Sequence, residues 1–163
     1  MLIGGLGMGF TLAAVLASVG TGAQVTVAEL IPEVADWNRG PLAEFNGYAL
    51  NDSRCDVQIA DVCDLIRDNP NTYDVIALDV DNGPEGLTRR DNNWLYTEEG
   101  VRSAGSALKP GGVLAYWSAS DDKAFRVRLQ RCRFKVEQVR VFAYGKKGTR
   151  HTIWLAEHQR STV

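Results

Sequence analysis

The sequence predicts a doubly wound α/β domain whose sheet is mostly parallel and ends in an antiparallel C-terminal hairpin. Three observations carry this reading. Short apolar or β-branched runs alternate with helical patterns along most of the chain, as expected of parallel strands covered on both faces. A glycine cluster, Gly4-Gly5-Leu6-Gly7-Met8-Gly9, separates the first strand from the first helix. Near the C-terminus, Gly145-Lys146-Lys147-Gly148 joins two strand-like segments, a hairpin signal where a two-half dinucleotide fold would continue with parallel strands.

Taken in order, Met1 to Ile3 reads as a short strand and Phe10 to Val19 as a helix ended by Gly20 and Gly22. Gln24 to Glu29 is β-branched and short, so a strand. Pro32 opens a helix carrying Val34, Trp37, Leu42 and Phe45, with a break expected at Gly40-Pro41. Val57 to Ala60 is a third strand, followed by Asp61 and a helix through Leu65 and Ile66, which Asn69-Pro70-Asn71 stops. Tyr73 to Val80 is nearly continuous apolar sequence, the pattern of a buried parallel strand. A polar loop from Asp81 to Asn93 leads to a helix from about Leu95 to Leu108. Pro110-Gly111-Gly112 then turns the chain into the strand Val113 to Ser118. Ala124 to Cys132 is the last helix, and Lys135 to Tyr144 and His151 to Glu157 form the hairpin. The first strand of such a sheet lies at its centre, yet only three residues precede the glycines here. Residues upstream of Met1, or another segment, are expected to complete it.

Composition bounds the function. At 163 residues the chain fits one domain over 1–163, with 45% hydrophobic and 23% charged residues, an ordinary globular balance. The apolar stretch Leu2 to Val19 is crowded with glycines and reads as strand, turn and helix rather than a membrane span or signal peptide. A net charge of −2 spread along the chain argues against a nucleic-acid partner. The basic cluster Arg126, Arg128, Arg131 and Arg133 reads as a solvated face. Cys55, Cys63 and Cys132 lack metal-ligand spacing and there are only two histidines, so no metal is expected. Buried thiols in a reducing cytoplasm are the plain reading.

Ligands of open α/β sheets bind beyond the carboxyl ends of the strands, and four motifs fall there. The glycines Gly4, Gly5, Gly7 and Gly9 let the backbone turn sharply beside a ligand, although a tight turn in a ligand-free protein needs glycine too. Glu29 ends the second strand about 20 residues further on, where a carboxylate accepts the hydroxyls of an adenosine ribose. The alternative is a solvated acid. Asp61 can accept from an adenine amino group with Val62 against the ring, or simply cap a helix. Asp79 and Asp81, in Asp79-Val80-Asp81-Asn82-Gly83-Pro84, can hold an amine or take its proton, or form a turn.

Together these motifs resemble the class I S-adenosylmethionine-dependent methyltransferase fold, a Rossmann-like sheet, and within it the spermidine synthase (polyamine aminopropyltransferase) family. The carriers are LIGGLGMG from Leu2, VTVAEL from Val25, Ala60-Asp61, YDVIALDVDNGP from Tyr73, LYTEEG from Leu95 and LKPGGV from Leu108. The resemblance implies a seven-stranded sheet with its last strand antiparallel. It implies Glu29 at the cofactor ribose, Asp61 at adenine, Asp79 as the acid that deprotonates the attacking amine, and Asp81 steering that amine. The cofactor would be S-adenosylmethionine or its decarboxylated form, and the reaction a displacement at a sulfonium carbon. A homodimer follows by the same analogy.

The sequence also departs from the family. The glycine motif usually reads GGGDGG, with an aspartate that holds the aminopropyl amine; Gly7 stands in its place. The segment resembling DSSDP is shortened to DVDN, and the family's N-terminal β-hairpin region is absent from these 163 residues. Aminopropyl transfer to a polyamine is therefore weighed against methyl transfer to another small molecule, and against an inactive homologue. An NAD-dependent oxidoreductase fits least, since it requires a parallel strand where a hairpin is read.

Overall fold

The computed structural model describes residues 1–80, 92–119, 121–144 and 147–159. They form two compact units, Met1–Leu65 and Ile66–Val163.

The first unit contains β1 (Leu2–Gly4), α1 (Phe10–Ser18), β2 (Val25–Glu29), α2 (Pro32–Arg39) and β3 (Cys55–Ile59), and ends within α3 (Val62–Asp68). Its strands are parallel in the order β3-β2-β1, with Gly4 opposite Ala28 and Glu29 opposite Ile59. Their carboxyl ends therefore lie side by side. The core is Ile3, Leu6, Leu12, Leu16, Val25, Val27, Ala35 and Ala49. α2 starts at Pro32, whose fixed φ suits a first helical position, and stops at Gly40 as the sequence predicts. Its buried residues are Ala35 and Asn38, while Trp37 stands exposed. Leu42 and Phe45 lie beyond the end of the helix, past the break expected at Gly40-Pro41.

Arg54 closes the far end of α1. Its guanidinium donates to the carbonyls of Leu16, Val19 and Gly20, at 2.9, 2.8 and 3.3 Å. These include terminal helix carbonyls that lack an intrahelical donor. Asp52 grips the same group from the other side, at 2.7 and 2.9 Å. That hydrogen bonding by Arg54 holds the Asp52 carboxyl down to about 2.

The second unit contains β4 (Tyr73–Leu78), α4 (Glu98–Ala107), β5 (Leu108–Ser118), α5 (Lys123–Arg131), β6 (Phe134–Tyr144) and β7 (Lys147–His158), ordered β4-β5-β7-β6. β4 and β5 are parallel, and β7 runs antiparallel to both β5 and β6. The predicted class holds: α/β, mostly parallel, with an antiparallel C-terminal pair. Several boundaries differ from the sequence reading, among them the start of β7, at Lys147 rather than His151. α4 begins at Glu98 rather than Leu95, because Thr97 caps it by accepting from Gly100 N–H at 3.1 Å and Asn92–Tyr96 forms a 3-10 turn. β5 begins at Leu108 rather than Val113, because Lys109-Pro110-Gly111-Gly112 is carried as an irregularity between the Tyr73–Leu108 and Val75–Val113 pairings. β4 ends at Leu78, with Ile76 and Leu78 fully buried and Asp74 exposed in a pair with Lys109.

Among the described residues no helix is long and apolar enough to cross a membrane, and no cluster of three or more potential ligands could hold a metal ion. The three cysteines are free, with Cys63 and Cys132 buried. Arg126, Arg131 and Arg133 are exposed, and Arg128 donates to the Tyr96 carbonyl at 2.7 Å.

Candidate functional site

The described site residues gather mainly at the carboxyl ends of β1, β2 and β3. From β1 the chain enters the glycine turn, where Gly5, Gly7 and Gly9 adopt φ of 89°, 52° and 80°. Gly5 N–H donates to Ala28 O at 2.9 Å and Gly9 N–H to Leu6 O at 2.8 Å, so the turn is stitched to β2 and to itself. Gly9 is the residue before α1 and has no side chain with which to cap it.

Glu29 ties this turn to the end of β2. Its Oε2 accepts from Leu6 N–H at 3.0 Å and its Oε1 from Ile31 N–H at 2.9 Å. The side chain is buried, with 8% of the residue exposed. A carboxylate has roughly four acceptor positions. The two N–H bonds fix the group and leave each oxygen able to accept once more. Of the alternatives raised by sequence, a freely solvated acid is excluded. Leu30 and Ile31, which follow directly, are both exposed and offer apolar surface beside the carboxylate. Nothing in the sequence marks them apart from core residues; only their position after a strand-end acid could have suggested it.

Asp61 stands beyond the end of β3, next in line, where Ala60 N–H donates to Glu29 O at 3.0 Å. Its Oδ1 accepts from Cys63 N–H at 2.8 Å, which caps α3. Val62 is buried in the first turn of α3. Asp79 belongs to the second unit, exposed directly after β4. Asp81 lies outside the described residues.

Two further side chains support the turn. Asn38 and Asn46 are buried, and Asn38 donates to Gly7 O at 2.8 Å. The sequence reading does not single them out. The signal available was a polar residue on the buried stripe of α2, four residues after Val34.

The spermine/spermidine synthase domain family matches residues 1–133. A Pseudomonas aeruginosa protein, polyamine aminopropyltransferase 2, is 33% identical over 147 residues, covering 85% of this chain and 40% of the relative. The crystal structure of spermidine synthase from Thermotoga maritima superposes with a TM-score of 0.75 at 23% identity, covering 98% of this chain and 54% of that one. Human methyltransferase-like protein 13, solved in complex with SAH, gives 0.73 at 20% identity over 99% of this chain and 72% of its own. These superpositions show the methyltransferase-like fold. The chain spans about half or less of the length of the first two relatives. With the domain match extending over most of its length, the chain belongs to the spermine/spermidine synthase family.

Proposed function

We propose that this chain forms the cofactor-binding part of a spermidine synthase-like transferase that moves an aminopropyl group from decarboxylated S-adenosylmethionine to a polyamine. The observation that carries the reading is Glu29: a buried carboxylate, held by two backbone N–H groups at the strand ends and able to accept more. That is the chemistry a vicinal diol of an adenosine ribose requires, since each hydroxyl donates one hydrogen bond. Exposed Leu30 and Ile31 offer an apolar face for the purine, and Asp61 keeps acceptor capacity for an exocyclic amine.

In this reading Asp79 removes the proton from the attacking amine, with Asp81 steering it. The amine lone pair forms the new N–C bond as the C–S bond breaks, and the sulfonium leaves as a neutral thioether. Positioning and a base that keeps the amine neutral are what such a displacement asks of a protein. The relative named polyamine aminopropyltransferase 2 supports aminopropyl transfer to a polyamine.

A second reading, methyl transfer from intact S-adenosylmethionine, is favoured by one observation. At Gly7 an added Cβ would meet nothing within 4 Å among the described residues. With no aspartate there, the open space suits a methionine carboxylate as well as an amine.

Calorimetric titration with S-adenosylmethionine, its decarboxylated form and NAD separates these. Tighter binding of the decarboxylated form is expected, with Glu29→Ala weakening it by about tenfold or more, as loss of hydrogen bonds to a charged acceptor implies. Preference for the intact carboxylate would move the assignment to methyl transfer. Silence toward both sulfonium compounds would overturn the cofactor reading.

A further inference from the structure

We infer that Asn38 and Asn46 are positioning residues, forming a buried amide clamp that sets the Gly7–Met8 peptide and through it the affinity for the tail of the ligand. The inference rests on the cofactor reading above and adds residues to the same site.

The clamp is built entirely within the first unit. Asn38 is 1% exposed and Asn46 3%. Asn38 Nδ2 donates to Gly7 O and to Val34 O, both at 2.8 Å, so one proton holds the turn and the other anchors the side chain to its own helix. Asn38 Oδ1 accepts from Asn46 Nδ2 at 2.8 Å, and Asn46 Oδ1 accepts from Ala49 N–H at 3.1 Å. The chain of bonds runs from Ala49 through two amides to the glycine turn. Both amides are buried with partners, and a buried amide that loses a partner is costly, so each side chain is held in the orientation these bonds require.

Peptide planarity converts this grip into an orientation. In a trans peptide the carbonyl and the following N–H point opposite ways. With Gly7 O drawn toward Asn38, Met8 N–H points away from the clamp. Among the described residues nothing lies within 4 Å of a Cβ built on Gly7, and Met8 is 48% exposed, so these residues leave that side of the turn open. In the proposed reading the tail of the ligand lies against Gly7, where the family motif carries its aspartate. Gly9 lies on the clamp side. A Cβ there would come within 2.6 Å of Asn38 Oδ1 and 2.8 Å of Asn46 Nδ2. The two amides and the glycine turn are thus fitted to each other, while Glu29 holds the turn at Leu6 N–H, ahead of the clamped Gly7 carbonyl, so the clamp is expected to act on the tail more than on a ribose at Glu29.

The test uses two probes, S-adenosylhomocysteine, which carries an amino-acid tail, and 5′-methylthioadenosine, which lacks one. Asn38→Asp and Asn46→Asp keep shape while removing the donors. Each is expected to weaken S-adenosylhomocysteine by about tenfold, the usual effect of disrupting a buried hydrogen bond, and to leave 5′-methylthioadenosine within about threefold. Equal weakening of both probes would reduce the asparagines to a structural role and overturn the inference, as would no change in either. Should the variants not fold, the labelled wild type still decides the clamp. Slow exchange of the Asn38 side-chain amide protons supports it, and rapid exchange refutes it. A wild type silent to both probes would overturn the cofactor reading and the tail effect with it, leaving the amide protons to judge the clamp alone.

Discussion

In the first unit, buried or half-buried polar side chains hold backbone: Glu29 takes two N–H groups, Asn38 two carbonyls and Arg54 three. In the second, aromatic rings hold one another. Phe125 meets Tyr96, Tyr116 and Trp154 edge-on at centroid distances of 5.3, 4.8 and 5.1 Å, and Tyr116 meets Tyr96 at 5.5 Å. Hydrogen bonds are directional and fix where a peptide points, whereas apolar burial is non-directional and scales with area. The first unit thus invests its polar groups in the shape of turns at the strand ends, and the second its rings in cohesion. Substitutions should divide accordingly.

The largest effect belongs to the ring cluster. Phe125→Ala leaves a cavity among three rings at a fully buried position, and is expected to cost about 3–5 kcal/mol in urea unfolding. A loss under about 1 kcal/mol would mean that the cluster collapses around the gap and that cohesion lies elsewhere. Next comes Gly9→Ala in the turn. Its φ of 80° and the 2.6 Å approach to Asn38 Oδ1 predict a cost of about 1–3 kcal/mol in the same assay. Unlike Phe125→Ala, it should also weaken binding of S-adenosylhomocysteine, measured by calorimetry on the folded fraction. If the two variants affect binding alike relative to stability, the proposed division between units is wrong. Thr97→Ala comes third. It removes the Oγ1 that accepts from Gly100 N–H and should cost about 1 kcal/mol without touching the turn.

How far this contrast was legible in the sequence depends on which force acts. Alternation of apolar runs with glycine and proline punctuation located each strand and α-helix among the described residues, because burial and helix stops leave a compositional trace. Glu29 was legible too, since its place after a β-branched strand and its distance from the glycines are both sequence properties. The buried face of α2 was not. Val34 and Trp37 suggest one stripe by hydropathy, yet Ala35 and Asn38 are what α2 buries. An asparagine whose partner is the carbonyl of Gly7, 31 residues away, has no local signature. β5 was read from Val113 because proline and glycines usually mark turns, but the sheet tolerates them as an irregularity opposite the start of β4. In each case the missed information is long-range pairing of backbone groups, which hydropathy does not encode.

The smallest predicted effect concerns acid. Asp52 has its carboxyl held near 2 chiefly by the side-chain hydrogen bond from Arg54, against about 4 for an unfolded aspartate. A folded pKa below the unfolded one means that the folded state releases this proton more readily. The pair therefore contributes stability above about pH 4, and loses it as pH falls from there toward 2. Both side chains are partly exposed, at 19% for Arg54 and 28% for Asp52, so screening by solvent and salt keeps the effect modest. Urea midpoints of the wild type and Asp52→Asn should differ at pH 6 and converge as pH approaches 2. Asp74, lowered by its hydrogen bond from Lys109, is untouched by the substitution and cancels in that difference. A gap that persists unchanged to pH 2 would show that Asp52 acts through shape rather than charge. The grip on the end of α1 would then rest on Arg54 and the three carbonyls it reaches.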